Sequence, residues 1–132
     1  MDHKLLIIDD DVDLVEMNRA FFNSKGFTVF TAYNGQDGLK AMIKEKPDLV
    51  ILDVMMTEVG EGFEVARNVR QTEDIKDTPI LMLTSVNQEH DFSLTIGPDD
   101  AWNPVDEFLE KPVSHQQLLA KVNEMLKIDI QK

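Results

Sequence analysis

The sequence predicts an α/β fold in which a doubly wound parallel sheet is covered by helices on both faces. Short apolar runs suited to buried strands recur along the chain, and amphipathic stretches of helical length lie between most of them. Strands that alternate with helices are joined by right-handed crossovers and lie parallel in one sheet. With 132 residues, of which 42% are hydrophobic, the chain fits one domain covering 1–132.

The first strand, Lys4–Ile8, is a continuous apolar run that ends in consecutive aspartates. Asp13 followed by Glu16 resembles a capping box, which predicts the start of the first helix there. Gly26 is the expected stop of that helix. Phe27–Thr31 alternates and is rich in β-branched and aromatic residues, so we interpret it as the second strand.

The second helix follows a turn signal and carries an apolar stripe of Leu39, Met42 and Ile43. Pro47 closes this helix because proline cannot continue it. Leu49–Leu52 is then the third strand, and like the first it is followed by an aspartate.

In the second half of the chain, Gly60 and Gly62 mark a loop before a helix that is expected from about Phe63. Ile80–Leu83 is the fourth strand, and Glu107–Glu110 is a shorter fifth strand.

The last helix is expected to begin at a capping box formed by Ser114 and Gln117. The segment Asn87–Val105 breaks the regular pattern. Alternating apolar residues there favour extended chain, so we expect no regular helix through the whole span; these residues are Phe92, Leu94 and Ile96.

Polar residues stand at the ends of four of the predicted strands. They are Asp9, Asp10 and Asp11 after the first, Asp53 after the third, Thr84 after the fourth and Lys111 after the fifth. Ligands of an open parallel sheet bind beyond the carboxyl ends of its strands, and clustered carboxylates suit Mg²⁺. A bound cation would attract a phosphate, which Asp53 could attack as a nucleophile. Lys111 would then stabilise the phosphoryl oxygens, and Thr84 would donate a hydrogen bond.

Each of these residues also has a simpler structural explanation. Aspartates after strands often cap helices, a threonine is an ordinary strand residue, and a lysine before proline is usually a solvated charge. The functional hypothesis therefore depends on their conjunction at one edge of the sheet.

From about Lys4 to Leu126, the chain resembles bacterial response-regulator receiver domains. The similarity is carried by four segments, Leu6–Asp11, Pro47–Met56, Pro79–Thr84 and Phe108–Pro112. It implies a flavodoxin-like fold, with a five-stranded parallel sheet of order 2-1-3-4-5 and five helices. The fourth helix, in Gln88–Val105, is expected to be irregular or shortened.

The resemblance also implies a role for each matching residue. Asp53 would be the phosphoacceptor, with Thr84 and Lys111 holding the phosphoryl group. The Mg²⁺ ligands would be Asp10 and Asp53 directly, Asp9 mostly through water, and the main-chain carbonyl of Met55. Thr84 and Phe108 would form the conformational switch, and the Lys111–Pro112 peptide would be cis. Such a domain catalyses its own aspartyl phosphorylation and dephosphorylation and is a signalling domain rather than an enzyme.

Two stretches depart from the family pattern. Many receivers have proline where this chain has Thr57, and the loop 57–62 is one residue longer before its second glycine. The segment Gln88–Val105 does not show the sequence pattern of the family's regular fourth helix and carries extra residues, including Trp102. We therefore do not expect the family's usual dimer mode to transfer.

The formal net charge of −12 predicts no direct nucleic-acid binding, because phosphates and anionic lipids would be repelled. No apolar run reaches the roughly 18–20 residues of a membrane span, so no membrane insertion is expected. The absence of Cys agrees with a cytoplasmic location. The resemblance implies a sensor histidine kinase or phosphotransfer protein as donor and an unidentified downstream protein as output partner. Because only Lys127–Lys132 follows the last helix, output is expected through protein contacts, with Phe92–Val105 reshaped on phosphorylation.

The main alternative is a receiver-fold binding module that acts without phosphorylation. An FMN-binding protein of the same architecture would need a Ser-, Thr- and Gly-rich first loop in place of aspartates. A phosphohydrolase with an Asp nucleophile would need a second Asp at position 55, which is Met55. An EF-hand counted from Asp9 would need Gly where Leu14 stands, and no Gly-Lys-Ser/Thr phosphate-binding loop occurs.

Overall fold

The structure is a computed structural model that describes residues 3–53, 61–85, 106–111 and 113–127, with the backbone alone at 61–63, 84–85 and 110–111. The elements in these ranges are β1 (Lys4–Ile8), α1 (Val12–Ser24), β2 (Thr28–Ala32), α2 (Gly35–Glu45), β3 (Leu49–Asp53), α3 (Glu61–Arg70), β4 (Ile80–Ser85), β5 (Glu107–Lys111) and α4 (His115–Leu126). The five strands form one sheet of order β2-β1-β3-β4-β5, and every neighbouring pair is parallel. The predicted fold class and strand order are confirmed. The expectation of an irregular helix in Gln88–Val105 lies outside the described residues.

Helices cover both faces of the sheet, as the continuous apolar strands require. Within β1, Leu6 and Ile8 join the core under α2 and α3, while Leu5 and Ile7 join the core under α1 and α4. This alternation follows from the two-residue period of a strand, which sends successive side chains to opposite faces.

Helix α1 begins two residues earlier than the sequence predicted. Its N-cap is Asp11, which accepts a hydrogen bond from the Leu14 N–H, and Asp13 lies inside the first turn. The predicted stop is confirmed, since Gly26 follows the helix with a φ of 96°, a conformation that glycine adopts without steric cost. The capping box at the start of α4 is also confirmed, with Ser114 and Gln117 bonded in both directions.

β3, β4 and β5 extend one or two residues beyond their predicted ends, to Asp53, Ser85 and Lys111, and other predictions also need correction. Ile43 is 41% exposed, so the buried side of α2 depends on Met42, with Leu39 packed at its margin. Helix α3 begins at Glu61, so its first turn includes Gly62, which was expected in the preceding loop. Strand β2 is Thr28–Ala32, because the ladder with β1 starts by pairing Thr28 with Lys4.

A hydrogen-bonded clamp fixes the amino ends of β4 and β5. The Oδ2 atom of Asp106 accepts from the Ile80 N–H at 2.8 Å and from Arg70 at 2.7 Å. The other terminal nitrogen of Arg70 donates to the carbonyls of Lys76 and Thr78, both at 2.8 Å. One side chain of α3 thus joins the turn after that helix to the start of β5.

Gly38 allows α2 to lie directly on the end of β1. A Cβ atom at this position would stand 2.5 Å from Cδ1 and 2.9 Å from Cγ1 of Ile8, which is fully buried. We expect Gly38→Ala to lower the free energy of unfolding by about 1–3 kcal/mol through overpacking, although alanine favours the helix. Urea denaturation measures the change.

Ile8→Val provides the control for the Gly38 prediction, because it removes the Cδ1 atom that is closest to the new methyl group. The loss caused by Gly38→Ala should be smaller in the Ile8→Val background than in the wild type, which a double-mutant cycle detects. Equal losses in both backgrounds would show that the close packing against Ile8 is not the cause.

Candidate metal and phosphoryl site

Three carboxylates converge at the carboxyl edge of the sheet. One oxygen from each of Asp9, Asp10 and Asp53 lies within 4.8 Å of the other two. Asp9 and Asp53 are buried, with exposed fractions of 4% and 3%, whereas Asp10 is exposed. The group therefore has a closed side within the fold and an open side toward solvent.

The strand register brings the two buried aspartates together. Ile8 pairs with Leu52 across the β1–β3 ladder, so Asp9 and Asp53 are the next residues of neighbouring parallel strands. The Asp9 N–H continues the ladder with β2 by donating to the Ala32 carbonyl at 3.2 Å. This hydrogen bond holds the backbone of Asp9 against β2.

Asp11 completes the turn between β1 and α1. Its N–H donates to Oδ1 of Asp9 at 3.0 Å, and its own carboxylate caps α1 through the Leu14 N–H at 3.2 Å. The turn therefore orients the Asp9 carboxylate, and the third aspartate of the run acts as a helix cap, outside the metal cluster.

The donor set fits Mg²⁺. Three carboxylates this close repel one another, and two of them are removed from the high dielectric of water, so a cation between them is favoured. Mg²⁺ prefers oxygen ligands, takes few protein carboxylates and keeps several waters. Asp10 is exposed, so water can reach an ion held by these carboxylates.

The other predicted site residues are described only in part. Thr84 is in β4 one position beyond Leu83, which pairs with Asp53, and Lys111 ends β5 opposite Ser85. Their backbones thus reach the same edge of the sheet. Phe108 pairs with Met82 and is half-buried against the core under α2 and α3. Met55 and Pro112, and with Pro112 the expected cis peptide, lie outside the described residues.

A polar network that the sequence analysis missed lies beside this edge. Tyr33, which follows β2, donates to Oε2 of Glu16 at 2.8 Å, and the Arg19 guanidinium also donates to that carboxylate. The sequence feature that could have indicated this network was the position of Tyr33 directly after the end of a strand. These bonds, chiefly that from Arg19, hold the pKa of the Glu16 carboxyl below its ordinary value of 4.5.

The two hydrogen-bond donors to Glu16 should affect the pKa of its carboxyl group unequally. Arg19→Ala is expected to raise the Glu16 pKa more than Tyr33→Phe does, because the bond from Arg19 is its largest cause. Carbon-13 NMR of the carboxyl group during a pH titration measures both changes. A larger rise in Tyr33→Phe would contradict this assignment.

The same lowered pKa gives the sign of a pH effect on stability. The ionised Glu16 contributes at pH values above its unfolded pKa, and the contribution is lost as pH falls through the folded-state pKa. The pair is exposed, so solvent screening keeps this contribution small.

Comparisons with known proteins agree on one family. The family model described as "Response regulator receiver domain" matches residues 5–123. The response regulator SaeR of Staphylococcus epidermidis is 34% identical over 124 residues, covering 92% of this chain and 49% of the relative. SaeR of Staphylococcus aureus is 32% identical over the same length and is covered to 50%. The chain thus spans about half the length of the curated relatives it matches.

Solved structures show the same similarity in three dimensions. A putative response regulator from Chloroflexus aurantiacus is 32% identical with a TM-score of 0.79, and the match covers 96% of this chain and 99% of that one. The chemotaxis protein CheY4 of Vibrio cholerae is 29% identical with a TM-score of 0.77, over 94% and 98% of the two chains. Within the described ranges, every helix is too short or too polar to cross a bilayer.

Proposed function

The chain belongs to the family of response regulator receiver domains, and on that premise we propose that it is a Mg²⁺-dependent phosphoreceiver in which Asp53 takes the phosphoryl group. The observation that carries this proposal is the placement of Asp53, buried at the end of a central strand with the carboxylates of Asp9 and Asp10 beside it. We propose that 1–132 acts as one receiver domain, located in the cytoplasm.

In the proposed reaction, a carboxylate oxygen of Asp53 attacks the phosphorus of the donor, and the bond from phosphorus to the leaving group breaks. Mg²⁺, when bound, offsets the negative charge on the phosphoryl oxygens. Asp10 and Asp53 would hold the ion directly and Asp9 mostly through water, with the Met55 carbonyl as a further ligand. The hydrogen bond from the Asp11 N–H, which orients the buried Asp9 carboxylate, supports this role through water.

Thr84 and Lys111 complete the proposed phosphoryl site. Their positions at the carboxyl ends of β4 and β5 support contacts from a hydroxyl and an ammonium to the phosphoryl oxygens. Phe108 would respond when Thr84 moves toward the phosphate, and its half-buried position against the core supports such a rotation. Water attack on the aspartyl phosphate in the same site would return the free carboxylate.

The phosphodonor in this proposal is a sensor histidine kinase or a phosphotransfer protein. Such a donor must approach the open side of the acid cluster, next to the exposed Val12 at the start of α1. Output would pass to an unidentified downstream protein, with no direct nucleic-acid contact. Phe92–Val105, the stretch proposed to change with phosphorylation, lies outside the described residues. The alternative of a binding module without phosphorylation is not favoured by these observations.

Intact-mass measurement after incubation with acetyl phosphate tests the proposal. We expect one added phosphoryl group in the presence of Mg²⁺ and none when EDTA removes the ion. If no adduct accumulates because hydrolysis is fast, the protein should still bind beryllofluoride in a Mg²⁺-dependent manner. Failure to bind either phosphate or beryllofluoride would contradict phosphorylation and favour the binding module.

A further inference from the structure

A groove between α2 and α3 is not used by the phosphoryl site. At its centre is a cavity of about 180 Å³. The cavity is lined by Gly35, Gln36, Leu39, Glu64, Val65 and Asn68. Pockets for small-molecule ligands usually measure about 300–1,000 Å³. The space is therefore suited to one apolar side chain rather than to a cofactor.

The helical period places further residues of α2 in line with those that line the cavity, so the groove continues along this helix. Gln36, which lines the cavity, is spaced by four residues from Lys40 and by eight from Lys44, so the three form one ridge of α2 that starts at the cavity. The rise of a helix places the two lysines about 6 and about 12 Å beyond Gln36. Leu39 and Ile43 form the adjacent row, which makes the 41% exposed Ile43 a continuation of the apolar floor.

The two helices that border the groove, α2 and α3, differ in charge. Lys40 and Lys44 are both exposed, and neither forms a salt bridge within the described ranges. Lys44 lies in the last turn of α2, where a cation stabilises the helix by complementing its dipole. Lys40 lies in the middle of α2, where the dipole does not account for a lysine. On the same helix, Asp37 is engaged by the Asn34 side chain at 3.1 Å. On the α3 side of the groove, the exposed residue Glu64 is negatively charged.

We propose that this groove docks a segment of a partner protein that combines an apolar residue with acidic residues. The apolar side chain fills the cavity between Leu39 and Val65, and the carboxylates pair with Lys40 and Lys44. Glu64 repels acidic residues from the α3 side of the groove, so the segment binds with its carboxylates toward α2. The net charge of −12 disfavours nucleic acid and anionic membranes as occupants, since these extend over much of the surface. A short segment is affected mainly by charges within a Debye length of about 8 Å, so the local pattern of Lys40, Lys44 and Glu64 matters more to it than the net charge does.

This docking goes beyond phosphoryl transfer and does not require it. A random library of displayed 12-residue peptides is the probe, selected against the full chain without phosphodonor. We expect the enriched peptides to combine acidic residues with a large apolar residue. Their affinity should fall at least about tenfold for Lys40→Glu/Lys44→Glu and should weaken with added salt. Asn68→Trp, which places a large side chain at the rim, should also weaken binding.

Lys25→Glu/Lys127→Glu is the matched control, because it makes the same charge change at exposed residues that follow α1 and α4, the helices on the opposite face of the sheet. The control should bind the peptides as the wild type does, and circular dichroism checks that every variant folds. The proposal is overturned if no peptide is enriched, or if the enriched peptides bind Lys40→Glu/Lys44→Glu as tightly as wild type. Self-association lost in that variant would instead identify a second copy as the occupant. Phosphorylation by acetyl phosphate tests the other proposal separately.

Discussion

Asp53→Asn is expected to abolish phosphoryl incorporation completely. The amide has nearly the shape of the carboxylate, but it is not a nucleophile toward phosphorus at neutral pH. The substitution also removes one negative charge from three oxygens that lie within 4.8 Å of one another, so the variant should fold and should not melt below the wild type. Intact mass after acetyl phosphate treatment and a thermal melt measure the two expectations.

Asp13→Asn is the matched control for the acceptor variant. Asp13 has the same side chain, lies in the first turn of α1 and is exposed. It should take up phosphate as the wild type does. A phosphorylated Asp53→Asn protein would assign the acceptor to another residue, and an unfolded one would show that the buried carboxylate is needed for stability.

Asp10→Asn is expected to produce two effects of opposite sign. Loss of a charged oxygen ligand should weaken Mg²⁺ binding at least about tenfold, by analogy with the 10–100-fold cost of losing supporting groups in metal sites. In metal-free buffer, the same change relieves repulsion against the buried Asp9 and Asp53 and should raise the free energy of unfolding. Because Asp10 is exposed, the gain should be at most about 1 kcal/mol. Calorimetric titration with Mg²⁺ and urea denaturation in EDTA measure the two effects.

Mg²⁺ itself should stabilise the wild type by mass action, because the unfolded chain lacks the assembled carboxylates. The stability curves of wild type and Asp10→Asn should therefore cross as the Mg²⁺ concentration rises. If Asp10→Asn is less stable than wild type even in EDTA, the cluster is held together by contacts other than a cation.

The convergence of the site could be predicted from the sequence because it depends only on where strands end. β1 and β3 are largely apolar runs; Asp9 follows the first and Asp53 is the last residue of the second, and parallel pairing brings such ends to one edge. The network of Tyr33, Glu16 and Arg19 could not be predicted in this way. It depends on how far α1 tilts over the end of β2, which no local pattern encodes.

The misplaced start of α1 has a similar origin. Asp11 and Asp13 both satisfy the local preference for an N-cap, so composition cannot choose between them. The choice is made by Asp9, whose buried carboxylate accepts the Asp11 N–H and fixes where the helix begins. Ile43 was misassigned because helical period alone does not separate the buried side of a stripe from its exposed margin.

The clamp formed by Arg70 and Asp106 bears on how this sequence can diverge. It sets the register of β5 against β4 at the amino end of the pair, through Ile80, before the chain reaches the carboxyl edge of the sheet. The entropic cost of closing a connection rises only slowly with its length. Residues can therefore be added or exchanged between β4 and β5 without moving Lys111 from its place in the ladder. A lineage could alter that connection freely and still inherit the same arrangement of residues at the carboxyl edge of the sheet.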